Sequence, residues 1–200
     1  MFGRRRWLVT VLSLTFSLMT ACAAQAPATT EVQRRSGGGT QVTPNTIAHM
    51  VHQEVNRVRA RYRLSSLRWD QRLSGVAAAH SRDMLRRDYF SHNSPDGEDF
   101  SQRYQRRGYV CQVPLTERSY LTGGENLALT HHNARVIVYS DGRKEPTGYR
   151  TPAEIARRVV IGWLNSPGHR ENLLKPQWRQ EGIGVTMGAD GRIWVTQNFC

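Results

Sequence analysis

The chain has 200 residues, enough for one domain with a real core and too few for two of ordinary size. Its formal charge is +12, and all but two of its 28 basic residues, Lys144 and Lys175, are arginine. The arginines are scattered and no basic run is interleaved with aromatics, which argues against nucleic acid as a partner. A surface of this sign is drawn instead to anionic lipid or anionic polymers.

Arg4, Arg5 and Arg6 precede an uncharged run from Trp7 to Thr20. That run is shorter than the ~20 apolar residues of a permanent membrane span. It fits the apolar part of an export signal over residues 1–21. Leu18-Met19-Thr20-Ala21-Cys22 resembles the cleavage site of a bacterial lipoprotein, which would leave Cys22 first in the chain and lipidated. Ordinary cleavage between Ala21 and Ala24, without lipid, is the alternative. Either way the chain is read as exported, extracellular or held in the cell envelope, and touching the membrane only through a lipid at Cys22. With Cys22 acylated, Cys111 and Cys200 remain as an even pair in an oxidising compartment, and a disulfide between them is expected. It would close a loop of nearly ninety residues, worth about 4–5 kcal/mol on the loop-entropy account. Residues 22–45, with their Ala, Pro, Thr, Gln and Ser36-Gly37-Gly38-Gly39, offer little apolar surface and read as a flexible linker.

The domain is expected over 46–200. Ile47, Val51, Val55, Val58 and Tyr62 recur at helical spacing and predict a first helix. Asp70 is an N-cap for a second, with Leu73, Val76, Ala77, His80 and Met84 on its apolar face. A strand follows Glu125 through Leu127 and Leu129, and Arg135 to Tyr139 reads as another, ending at Asp141-Gly142. Thr151-Pro152-Ala153-Glu154 is a full helix start, followed by Ile155, Val159 and Trp163. Ser166-Pro167-Gly168-His169 reads as a new cap, with Ser166 in the capping role, for a short helix through Leu174. Alternation at Ile183, Val185, Met187 and again at Ile193, Val195, Gln197, around Asp190-Gly191, predicts a β-hairpin. These elements make an α+β chain with helices packed on an antiparallel sheet. Trp69, Trp163, Trp178 and Trp194 are read as core, His49 and His52 as surface, and His80 as a satisfied core histidine. His131-His132 belong to a loop, and the stretch to Arg150 is a lid or a hairpin insertion.

Three clusters carry candidate chemistry: Tyr89 to Gly97 around Phe90-Ser91-His92, Gly123-Gly124-Glu125-Asn126-Leu127-Ala128, and Trp163 to Leu174 around Pro167-Gly168-His169. With Leu67 to Leu73, and with Gly182-Ile183-Gly184-Val185 and Trp194 to Phe199, they resemble the CAP superfamily. These are the cysteine-rich secretory, antigen five and pathogenesis-related proteins, here in their bacterial SCP-like form. The resemblance runs from about Thr46 to Cys200. It implies a three-layer α-β-α sandwich with a central antiparallel sheet, and a shallow cleft with two histidines and two glutamates. By motif the cleft residues are His92, Glu125 and His169. The second glutamate, three residues after the helix tryptophan, is replaced by Ser166, so a mechanism that needs both carboxylates lacks one. Glu171, two residues from His169 along a helix, points elsewhere.

Two imidazoles and one carboxylate suit a divalent metal, zinc above all. At a helix start, the dipole favours a neutral His169, which a metal ligand or general base needs. Asn126 and Asn172 are assigned to bracing these segments. No activated-serine motif is present. The reading favoured is a binding module whose cleft holds a metal or a small ligand, in a monomer whose partners are lipid, an anionic envelope polymer or a protein. Its rivals are a metal-dependent hydrolase of peptide or cell-wall material, with Glu125 as general base, and a structural or adhesion module with an inert cleft.

Overall fold

The structure, a computed structural model, describes residues 41–200. The export signal, Cys22 and nearly all of the linker lie outside the described residues. Thr43 starts the first helix. Its Oγ1 accepts from the Thr46 N–H at 3.1 Å, and Thr46 Oγ1 accepts from the Thr43 N–H at 2.9 Å. This reciprocal box, with Pro44 in the first turn, opens α1 (Pro44–Arg61). The helix therefore takes in Pro44 and Asn45, which the sequence reading left in the linker.

Asp70 caps α2 (Gln71–Arg86) by accepting from the Leu73 N–H at 2.9 Å. A helix that the sequence reading did not assign follows, α3 (Phe100–Arg106), opened by a reciprocal Asp99–Gln102 box. Thr151 and Glu154 open α4 (Pro152–Asn165) in the expected way. Ser166 then ends α4 and begins α5 (Pro167–Leu174), but its side chain makes no capping bond, contrary to the role read for it. The junction is held by backbone instead: the Ser166 N–H returns to Trp163 O at 3.2 Å and its carbonyl accepts from Arg170 at 2.8 Å.

The strands are β1 (Arg68–Trp69), β2 (Val113–Pro114), β3 (Tyr120–Leu121), β4 (Gly124–His131), β5 (Asn133–Val138), β6 (Lys144–Tyr149), β7 (Gln180–Met187) and β8 (Arg192–Phe199). The main sheet has the order β1-β7-β8-β4. Its β7–β8 and β4–β8 pairs are antiparallel, whereas β1 pairs with β7 in parallel. The parallel pair was not foreseen. It is allowed because nearly the whole domain lies between the two strands as a crossover. Strands β2–β3 and β5–β6 form separate two-stranded ribbons. The stretch after His131 is thus a hairpin, its base tied by the Arg150 guanidinium to His131 O at 2.9 Å.

Helix α2 covers one face of the sheet, and α1 and α4 the other, which gives the three-layer sandwich. Contact on the α2 face is unusually close. A Cβ at Gly182 or Gly184 would collide with the α2 backbone at Leu73–Ser74 or Ala77–Ala78. The Gly-Ile-Gly pattern of β7 is a consequence: bare backbone faces α2, while Ile183 and Val185 face the opposite layer. That layer closes on Ile47, Val51, Val55, Ile155, Val159 and Trp163, all buried with Val195 and Phe199. The Cys111–Cys200 disulfide is present, with Cα atoms 5.6 Å apart.

Candidate functional site

Strand β4 is the outer strand of the sheet, and strand alternation decides where its side chains go. Glu125 faces the α2–α3 side and Asn126 the α4–α5 side. His92 comes from the loop after α2, and His169 from the first turn of α5. The two layers thus deliver one imidazole each to the free edge of β4, and the rings stand 6.1 Å apart between centroids.

Glu125 is committed on both oxygens. Its Oε1 accepts from His92 Nδ1 at 2.9 Å and its Oε2 from the Arg103 guanidinium at 2.7 Å. The glutamate side chain is 1 % exposed and that of Arg103 4 %, whereas that of His92 is 50 % exposed. Arg103 also binds His92 O at 3.0 Å and Glu98 O at 2.8 Å, so one buried guanidinium fastens the whole His92 loop. An ionised carboxylate only accepts, so Nδ1 of His92 carries the hydrogen and the Nε2 lone pair points away from Glu125. Burial above all, with His92 close by, pushes the His169 imidazole below its usual pKa. This is the direction the sequence reading took from the helix dipole, with a different leading cause.

On the other side of β4 a chain of amides braces the site. Asn126 donates to His169 O and to Gln197 Oε1, both at 3.1 Å. Asn172 donates to Glu125 O and Asn126 Oδ1, also at 3.1 Å. The chain continues inward: Gln197 donates to Glu181 Oε2 at 2.5 Å, and Glu181 Oε1 meets His52 Nδ1 at 2.6 Å. Glu181 and Gln197 are fully buried. His52, read as surface from its sequence position, is therefore a partner of a buried carboxylate. His80 is buried, with Nε2 3.0 Å from Ser91 O, as a satisfied core histidine requires. Ser166 makes no bond to the cluster, and Glu171 pairs with Lys175 at 3.0 Å on the surface.

Among the described residues no group of three or more His, Cys, Asp or Glu is arranged to hold a metal. The set of His92, Glu125 and His169 fails as a three-ligand site for a stated reason. A cation at Glu125 would have to displace the guanidinium of Arg103. The two imidazoles alone remain suitable. Two rings sharing one tetrahedral zinc stand about 5 Å apart, close to the distance found. With a metal on the imidazoles, Glu125 would take the outer position of a carboxylate that orients a ligating histidine. Sequence reasoning missed Arg103. The Asp99-x-x-Gln102 box places a helix there, but nothing in the sequence says which of its arginines turns inward.

Fold and site together define an α-β-α sandwich with a two-histidine cleft at the edge of the sheet. The profile of the cysteine-rich secretory protein family, CAP, matches residues 52–199, and the chain belongs to this family. The Bacillus subtilis protein YkwD is 31 % identical over 179 residues, covering 88 % of this chain and 55 % of that protein. The Bacillus subtilis membrane protein YlbC is 34 % identical over 145 residues, covering 72 % of this chain and 32 % of that protein. The chain therefore spans about half and about a third of these two relatives. Among solved structures, a Bacillus anthracis extracellular protein containing an SCP domain matches with a TM-score of 0.53 and 30 % identity, covering 80 % of this chain and 44 % of that one. An outer surface protein of Borrelia burgdorferi shares the fold, with a TM-score of 0.56 at 20 % identity over 80 % of this chain and 96 % of that one. Among the described residues no helix is long and apolar enough to cross a membrane.

Proposed function

We propose that this CAP domain is a non-catalytic binding module working outside the cytoplasm, in the envelope or beyond it, and that its cleft takes a small polar ligand or a divalent metal on the two imidazoles. The export-type N-terminus supports the location, and so does the extracellular description of the Bacillus anthracis relative. The lipid anchor at Cys22 belongs to the same proposal.

The observation that carries the binding reading is the double commitment of Glu125. A general base needs a lone pair within reach of its water. Here the carboxylate is buried, and each oxygen already accepts a charge-assisted or imidazole hydrogen bond. What remains at the surface is a pair of imidazoles, one held in orientation by Glu125 and the other kept neutral by burial. Such a pair binds without the means to activate water through its own carboxylate.

Zinc is the practical probe. Calorimetric titration of the full chain is expected to give weak binding, with a Kd of about 10 μM or above because only two protein ligands contribute. The binding is lost in both His92→Ala and His169→Ala. Chelator-sensitive hydrolysis of peptide or cell-wall material by the wild-type chain would overturn the reading in favour of the hydrolase. Absence of any zinc or ligand response leaves the inert-module rival in possession.

A further inference from the structure

Behind the His92 loop lies a second concavity, separate from the cleft, between α2, α3 and the connection that joins them. It has a volume of about 690 Å³, within the range of small-ligand sites. Arginine dominates its walls: Arg82, Arg86 and Arg87 from the end of α2, and Arg103, Arg106 and Arg107 from α3. Three carboxylates share the space, Asp83, Asp96 and Glu98.

The pairing within the groove leaves a surplus. Asp83 meets Arg86 at 2.6 Å and Arg87 at 3.6 Å. Arg87 also forks onto Asp96, at 2.5 and 3.0 Å. Arg106 forks onto Glu98, at 2.6 and 2.8 Å. Arg103 is neutralised from behind by Glu125. Arg82 and Arg107 are exposed and enter no ion pair among the described residues. Two guanidiniums therefore stand on opposite walls of one groove without a counter-charge. The same groove holds two bidentate arginine–carboxylate pairs, a geometry that phosphate oxygens also satisfy.

We propose that this α2–α3 groove is a binding site for phosphate groups, carried by an anionic polymer or by an anionic lipid headgroup. The unpaired Arg82 and Arg107 grip the phosphate, and the Arg87 and Arg106 forks lie within the same groove to exchange a carboxylate for it. The groove backs onto the histidine cleft through Arg103, but its grip rests on Arg82 and Arg107, so its test does not depend on the outcome there.

The test measures binding of tripolyphosphate, and of phosphatidylglycerol against phosphatidylcholine vesicles, to the full-length protein at low and moderate salt. Arg82→Glu/Arg107→Glu reverses the charge at two exposed positions that make no structural bond. Arg82→Gln/Arg107→Gln is the milder version, and Arg118→Glu/Arg135→Glu is a charge-matched control elsewhere on the surface. The groove variants are expected to weaken binding by at least about tenfold, as loss of charge-assisted hydrogen bonds implies. The control is expected to stay within about threefold of wild type. Loss in the tripolyphosphate arm assigns a soluble phosphate polymer, and loss in the vesicle arm alone assigns a headgroup. Equal weakening in groove and control variants would reduce the effect to diffuse surface charge and overturn the site, as would failure of the wild-type protein to bind either probe.

Discussion

Arg103 and Glu125 show what single residues contribute here. Each is almost wholly buried, and each is tolerable only because the other is present. Removing the cation alone strands a carboxylate under the His92 loop. Arg103→Leu is therefore expected to destabilise the domain by about 3–5 kcal/mol in denaturant unfolding, and Arg103→Leu/Glu125→Leu is expected to recover most of that. A double variant no better than the single one would show that the pair is not coupled. His80 gives a pH-dependent counterpart. Burial pushes its imidazole below the usual pKa, so the folded state binds the proton less readily than the unfolded chain. Its contribution is fully present above the unfolded value of about 6.5 and is lost as pH falls through the lower folded value. Unfolding free energy should drop between pH 7 and pH 5, and less steeply in His80→Gln. Identical slopes would remove His80 from the account.

At the scale of elements, capping chemistry was the readable part. Asp70, Thr151 and the Asp190-Gly191 turn are short-range signals, and each lies where the corresponding helix or strand begins or turns. The same chemistry at Asp99-x-x-Gln102 opens α3, whose seven residues show too few apolar positions for a periodicity to stand out. Ser166 was the reverse case: a residue of capping type whose side chain does not cap, since α4 runs almost directly into α5. The glycines of β7 mattered for a reason that only the layering supplies, the approach of α2. Gly184→Ala places a methyl group against helix backbone, which cannot move aside as a side chain can. A loss of about 3 kcal/mol or more is expected in thermal or denaturant unfolding, at or above the upper range for overpacking. A loss under 1 kcal/mol would mean that α2 floats more freely than the contact implies.

For the molecule as a whole, the motifs named the cleft histidines and Glu125, but not the partners that decide their chemistry. His52, Glu181 and Gln197 form a buried chain leading towards Asn126, and their sequence separations carry no sign of it. Long-range polar pairing of this kind has no period and no local motif. The disulfide was legible by arithmetic, and it fastens Cys200, the residue after β8, to the loop after α3. Reduction is expected to cost about 4 kcal/mol, read as a fall in the unfolding midpoint with reductant and reproduced by Cys111→Ala/Cys200→Ala. The central claim concerns Glu125: it orients His92 and does not itself bind or react. Zinc titration of Glu125→Gln beside the wild-type chain tests this most directly, since the amide can still accept from Arg103. Weakening by about 10- to 100-fold, the usual cost of losing a carboxylate that orients a ligating histidine, is the predicted result. A submicromolar wild-type site that vanishes in Glu125→Gln would make the carboxylate a ligand and contradict the account.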